Sequence, residues 1–322
     1  MKIIQIAQNG GPEELKIVEL PVPVPKAGEA LIRIAAVGVN FIDVYFRVGL
    51  YKAELPLTPG NEAAGTVEAV GPGVDTVKPG DRVAYAMVRG SYAEYTSVPV
   101  AQLVKLPDGV DFSTAAAAML QGMTAHYLTH STFALKKGDT CLVHAAAGGA
   151  GALTVQMAKM LGATVIGTAG SDQKTAIAKA AGADESINYT TQDFAAEVKR
   201  ITGGRGVDVI YDSVGASTFL KGLDLLRPRG MMVLFGQSSG PVAPFDPNIL
   251  NPKGSLFLTR PSLGFYTATR EELEWRAGDI LNWISTGKLK LRIAGTYPLA
   301  DAAQAHRDLE GRGKAGKLIL LP

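Results

Sequence analysis

The sequence predicts an α/β protein in which a partly open β-barrel is joined to a doubly wound parallel sheet. Three observations predict it. The first third carries short apolar stretches separated by glycine and proline. From about Ser113 onward, strand-like and helix-like stretches alternate. At the start of that alternation a string of small residues, HAAAGGAG over 144–151, lies between a strand and a helix. At 322 residues the chain has the length of about two domains. An apolar content of 47% against 19% charged residues suits a large buried core.

In chain order, 2–6, 15–19, 29–37, 64–70, 81–86 and 92–99 read as strands, short and rich in β-branched residues. Pro21, Pro23 and Pro25 make an extended connector, and Gly71-Pro72-Gly73 and Lys78-Pro79-Gly80-Asp81 are turns. Residues 115–118 and 119–128 read as helical. Strands are then expected over 140–145, 164–168, 207–211, 231–235 and 255–259. Helices are expected over 150–161, 172–181, 194–201, 218–226 and 270–284. The tail, 317–321, is a last apolar strand whose partner the sequence leaves open.

The string at the strand-to-helix turn ends in Gly148, Gly149, Ala150 and Gly151. A tight turn needs residues without a Cβ, and so does a ligand that approaches the backbone closely. Helix-start amides favour an anion, so the string reads as a dinucleotide-pyrophosphate cradle or as a plain βα turn. The following strand ends at Gly170-Ser171 with no carboxylate in 166–171 to repel a 2′-phosphate. Ser171 offers a hydroxyl, Lys174 a charge one turn on, and Tyr189 a phenol, a set that favours NADPH over NADH. The competing reading makes Ser171 a helix cap and Lys174 a solvated lysine. Two later strand ends supply further small or hydrogen-bonding residues: Ser213, and Phe235, Gly236, Gln237 and Ser238.

Net charge is +2, which argues against nucleic acid as the main partner and against an electrostatic membrane anchor. No apolar run reaches the ~18 residues of a spanning helix, and the single cysteine excludes an internal disulfide. A cytoplasmic protein is expected. His126 and His130 lie one helical turn apart, with no third metal ligand evident.

The chain resembles the medium-chain dehydrogenase/reductases, in particular their zinc-free quinone oxidoreductase branch. Residues 36–43 (AVGVNFID), 59–65 (PGNEAAG), 77–83 (VKPGDRV), 145–151 and Phe235-Gly236 carry the resemblance in the family's order. It implies a GroES-like barrel over 1–122, completed by about 265–322. It also implies a Rossmann NADPH domain over 123–264, with the active site in the cleft between. Where zinc relatives place metal ligands this sequence has Asn40, Asn61 and about Leu120, and zinc needs thiolate, imidazole or carboxylate. Asp43 and Glu62, the flanking acids, then order the loop or serve the site.

Without a Lewis acid, hydride transfer favours an acceptor that is already electrophilic. A quinone is expected; an enal or enone is the main alternative, and a non-catalytic NADPH-binding or RNA-binding role a further one. Asn40 is expected to meet the nicotinamide side or the acceptor oxygen. Tyr45 and Tyr51 either line the substrate pocket or pack in the domain core. By resemblance Thr124 is a nicotinamide contact, and Arg312 is a basic residue near the cofactor or a solvated one. A homodimer is expected through an edge strand from Ser255 to Thr259.

Overall fold

The computed structural model describes residues 1–311 and 313–322. Arg312 therefore lies outside the described residues. The chain divides into two compact units, Met1–Met123 with Tyr266–Pro322, and Thr124–Phe265.

The first unit opens with β1 (Lys2–Gln5) and β2 (Lys16–Glu19), an antiparallel pair. Then come β3 (Glu29–Val39), helix α1 (Phe41–Arg47), β4 (Glu62–Val70), β5 (Arg82–Ala86), β6 (Tyr95–Pro99) and β7 (Val104–Lys105). Helix α2 (Phe112–Tyr127) leads into the second unit. The helix expected over 115–128 is one element that starts earlier, at Phe112, and runs to Tyr127, where a π-helical turn over Leu128–Thr132 takes over. Helix α1 has no counterpart among the expected elements. It is seven residues long, too short for periodicity to show, and is fixed instead by the Asp43 carboxylate, which accepts from the Asn40 N–H at 2.9 Å.

The second unit alternates as far as β12: β8 (Thr140–Val143), α3 (Gly149–Met160), β9 (Thr164–Ala169), α4 (Asp172–Ala180), β10 (Glu185–Asn188), α5 (Phe194–Ile201), β11 (Val207–Asp212), α6 (Phe219–Leu223) and β12 (Leu226–Leu234), and a loop with one short turn of 3-10 helix then leads to β13 (Phe257–Thr259). Every pairing is parallel, in the order β10-β9-β8-β11-β12-β13. The connections run outward from β8 on one side and from β11 on the other, so the topological switch point lies between them. Apart from Thr140, every residue of β8 and β11 is buried, as in parallel strands covered by helices on both faces. The expected helix over 218–226 is corrected: α6 stops at Leu223 and Leu226 already pairs with Val207. Pro228 and the left-handed Arg229 (φ 58°) then sit at a register shift in the strand. Leu142, Ile166, Ile187, Val198, Ile210, Phe219 and Met232 lead this unit's core.

The chain returns through α7 (Leu263–Tyr266), α8 (Arg270–Ser285), β14 (Ile293–Pro298), α9 (Ala302–Glu310) and β15 (Lys317–Leu321). Strand β15 lies between β14 and β3 in a seven-stranded sheet, order β14-β15-β3-β4-β5-β7 with β6 also on β3. Its Leu318, Ile319 and Leu320 are buried because strands flank it on both sides, and only Leu321 at its end is exposed. With Ile4, Ile32, Val37, Val67, Val83, Tyr85 and Tyr92, Leu318 and Leu320 fill the barrel core. No helix among the described residues is long and apolar enough to cross a membrane.

Candidate functional site

The glycine-rich turn follows β8. Ala145 takes a left-handed conformation (φ 51°), and the Gly148 N–H donates to the Ala145 carbonyl at 2.8 Å. Gly148 caps α3 in extended geometry. A Cβ on Gly151 would stand 2.2 Å from the Ala145 carbonyl oxygen, so only glycine lets the helix pack this closely on the turn. The amides of Gly149, Ala150 and Gly151 open the helix, where no carbonyl lies one turn back to receive them. A negatively charged group fits there.

At the end of β9, Ser171 caps α4 and its hydroxyl accepts from the Lys174 N–H at 3.3 Å. Tyr189 follows β10, and its N–H donates to the Ala169 carbonyl at 3.1 Å. Its hydroxyl lies over Gly170, where a Cβ would come within 2.6 Å of it. Ser171, Lys174 and Tyr189 thus share one corner. Asp172, next to Ser171, accepts from the Asn188 amide at 2.7 Å.

The ends of β11 and β12 are laced together. Buried Asp212 accepts from the Val214 and Gly215 amides at 2.7 and 3.1 Å and from the Thr218 hydroxyl at 2.8 Å. The Phe235 N–H donates to the Asp212 carbonyl at 2.8 Å and the Ser238 N–H to the Ser213 carbonyl at 3.1 Å. A Cβ on Gly236 would lie 2.6 Å from the Ser213 oxygen, which explains the glycine. Ser213 and the 235–238 segment therefore form one rim. Because β11 pairs directly with β8, that rim adjoins the glycine turn.

In the first unit a buried polar cluster joins residues far apart in sequence. Lys317, at the head of β15, donates to Glu62 at 2.5 Å and to the Asn40 Oδ1 at 2.7 Å. The other Glu62 oxygen accepts from the Leu120 N–H at 2.5 Å. Gly38 is a glycine because a Cβ would meet Glu62 at 2.3 Å and the Lys317 Cε at 2.7 Å. Asp43 accepts from Asn61 at 2.7 Å, from the Asn40 N–H and from the Tyr92 hydroxyl at 3.3 Å. Arg47 donates to His306 Nδ1 at 3.1 Å, so the ring carries its proton on Nε2, 2.9 Å from the Tyr92 oxygen. Arg47 also pairs with half-buried Glu310 at 2.8 Å. Burial pushes Asp43 up to about 6, with Asn61, the Asn40 N–H and Lys317 acting against it. Burial lowers Lys317, with Glu62 opposing. Burial, and then the Arg47 charge, take His306 down to about 3.

Asn40 sits inside the cluster. Its Nδ2 donates to the Gly38 carbonyl at 3.1 Å and to Glu62 at 2.9 Å, and its Oδ1 receives Lys317 and Gln121. All four hydrogen-bonding positions of the amide are taken. Asn40 therefore holds the cluster together. Tyr45 and Tyr51 are brought together, rings 5.2 Å apart edge to face, with Phe41 and Phe46 beside them. Thr124 is buried on α2. Cys141 is buried, and burial pushes its thiol well up. His126 and His130 stack on each other at 4.2 Å.

A zinc ion does not fit this cluster. The Asn40 and Asn61 amides are committed, Leu120 contributes only its backbone N–H, and no group of three or more His, Cys, Asp or Glu among the described residues could hold a metal. Lys317 escaped the sequence reading because it looked like the first residue of an apolar strand. A lone lysine heading an otherwise buried run was the available signal.

A half-open barrel in one unit and a parallel sheet in the other, with a glycine-rich turn at the sheet's switch point, define a two-domain dehydrogenase/reductase. Two family profiles match accordingly: the alcohol dehydrogenase GroES-like domain over residues 26–108 and zinc-binding dehydrogenase over 149–280. A quinone oxidoreductase of Pseudomonas aeruginosa is 45% identical over 323 residues, covering 100% of this chain and 99% of its own. The solved structure of Escherichia coli quinone oxidoreductase complexed with NADPH superposes with a TM-score of 0.98 at 44% identity, over 100% of both chains. A 2-haloacrylate reductase of a Burkholderia species is 43% identical, covering 98% of each chain. The chain belongs to the quinone oxidoreductases, the zinc-free branch of the medium-chain dehydrogenase/reductases.

Proposed function

We propose that this protein reduces quinones by hydride transfer from NADPH, without zinc. The observation that carries the reading is the line of strand ends in the parallel sheet, where turn amides, the Ser171 hydroxyl and the Tyr189 phenol lie, with Lys174 in the first turn of α4 and the Asp172 carboxylate engaged by Asn188. Bound NADPH supplies the hydride. In this reading the Gly149, Ala150 and Gly151 amides hold the pyrophosphate. Ser171, Lys174 and Tyr189 take the 2′-phosphate, and Ser213 with Phe235, Gly236, Gln237 and Ser238 lines the rest of the dinucleotide. Thr124 contacts the nicotinamide. Tyr45 and Tyr51 stack on a flat acceptor, since aromatic faces suit a planar ring.

The amide donor set at positions 40 and 61 favours an acceptor that needs no metal to polarise it. A quinone meets that condition, and water protonates the product. A second reading, reduction of the C=C bond of an unsaturated carbonyl compound, is favoured by the resemblance to the 2-haloacrylate reductase. Steady-state NADPH oxidation with 1,4-benzoquinone and with 2-chloroacrylate separates the two. Quinone turnover is expected; turnover of chloroacrylate alone defeats the first reading.

The enzyme is read as cytoplasmic and as a homodimer. Strand β13 is an edge of the six-stranded sheet, and its Phe257 is 56% exposed, which suits pairing with a second copy. Sedimentation equilibrium is expected to give twice the chain mass, and Phe257→Lys to give monomer; a monomeric parent protein contradicts the assembly.

A further inference from the structure

An exposed apolar patch sits on the loop that follows α1 in the first unit. In VGLYKAELP, residues 48–56, Val48, Leu50 and Leu55 are 44%, 40% and 38% exposed. Apolar residues exposed singly are ordinary, but several on one short loop mark a binding surface. The loop is held at both ends. The Val48, Gly49 and Tyr51 N–H groups donate to the Val44, Phe46 and Tyr45 carbonyls at 2.9, 3.1 and 3.0 Å, which folds the chain back onto α1. Gly49 (φ 77°) lies against Asn9, whose amide donates to the Phe46 and Arg47 carbonyls at 3.1 and 3.2 Å. At the far end Leu57 exchanges backbone hydrogen bonds with Ile6 at 2.8 and 2.9 Å. The patch is therefore preformed, and a ligand need not order it.

The same turn sets the Tyr51 ring 5.2 Å from Tyr45 and 5.6 Å from Phe46, with the Arg89 guanidinium 4.3 Å from the centre of the Phe46 ring. Leu50 directly precedes Tyr51, so the patch continues from the tyrosines read as stacking on the acceptor. Size and charge select its occupant. Three side chains, none as much as half exposed, offer far less than the ~800 Å² per partner of a stable protein interface. The charges on the loop, Lys52 and Glu54, are of opposite sign, so nothing draws an anionic lipid surface. A single alkyl chain matches both the small area and the absence of net charge. We propose that Val48, Leu50 and Leu55 hold an alkyl tail on the acceptor, so that the preferred substrate is a quinone ring with an apolar side chain. This rests on the quinone-reducing reading above.

The test compares kcat/KM for NADPH oxidation with methyl-1,4-benzoquinone and hexyl-1,4-benzoquinone, which share ring chemistry and differ in tail length. The parent protein is expected to favour the hexyl compound about tenfold, the worth of about two buried methylenes. In Leu50→Ser/Leu55→Ser that ratio is expected to fall to about one, with turnover of the methyl compound unchanged. Val48→Ser, checked by its thermal melt, replaces the double variant if that fails to fold. A parent ratio near one, a ratio kept by the variant, or equal loss with both quinones overturns the assignment. A preference that arises only with phospholipid vesicles present assigns the patch to a lipid surface, and a variant of lower sedimenting mass than the parent assigns it to a second copy; either overturns the tail. A parent protein that turns over neither quinone overturns the quinone reading itself, a result distinct from all of these.

Discussion

Lys317 and Glu62 are both fully buried, and each is tolerable only because the other is present. Lys317→Met leaves a carboxylate without its cation and is expected to lower stability by about 3–5 kcal/mol in urea unfolding. The double variant Lys317→Met/Glu62→Gln is expected to recover most of that loss. Equal losses in the two would show that the pair is not coupled. Nearby, Asp43 and His306 titrate in opposite senses. Asp43 is raised from 3.8 to about 6, so its contribution is full below pH 3.8 and lost as pH rises through 6. His306 is lowered from 6.5 to about 3, so its contribution is full above pH 6.5 and lost as pH falls through 3. Between pH 3.8 and 6 the two offset one another. Asp43→Asn removes the gain on acidification, and its stability is expected to fall more steeply than the parent's from pH 6 to 4; parallel profiles would contradict this. At the other unit's corner, Ser171→Asp puts a carboxylate beside the expected 2′-phosphate. It is expected to cut the ratio of NADPH to NADH affinity at least tenfold, roughly the effect of one like-charge contact at ~4 Å. An unchanged ratio removes Ser171 from the cofactor site.

Elements differ in how openly the sequence announces them. Helix α3 and strand β9 were legible because each is a run of one periodicity closed by glycine, and strand β8 because Gly138-Asp139 opens a short apolar run. Helix α1 was not, since seven residues make only two turns and the stabilising contacts of Asp43 come from Asn61 and Tyr92, far along the chain. The expected helix over 218–226 misled because Leu223, Leu225 and Leu226 suit a helix face as well as a strand, and pairing with β11 decides. The turn between β8 and α3 is the element with least freedom. Gly151→Ala is expected to destabilise the protein by about 2–4 kcal/mol, since the new methyl must displace backbone held by the turn. Calorimetric melts check this; a melting temperature within a degree of the parent's would show that the turn yields freely.

At the scale of the whole molecule, the fold class followed from texture: proline- and glycine-broken strands, then alternation. The return of the tail did not. Strand β15 pairs with β14 and β3, and β3 lies almost the full chain length away, a choice that no local pattern encodes. The same return brings Lys317 to Glu62, which is why the cofactor turn could be read from neighbouring residues and the polar cluster could not. The first is built within one strand–turn–helix unit, the second from β3, β4, α2 and β15 together.

The central claim is hydride transfer from NADPH to a quinone by a chain whose would-be metal positions are amides bonded to acids. It is tested most directly by following NADPH absorbance with 1,4-benzoquinone after exhaustive dialysis against a chelator. The account predicts an undiminished rate in the stripped protein, no gain on adding zinc, and a much slower rate with NADH. Activity that vanishes on stripping and returns with zinc would contradict it.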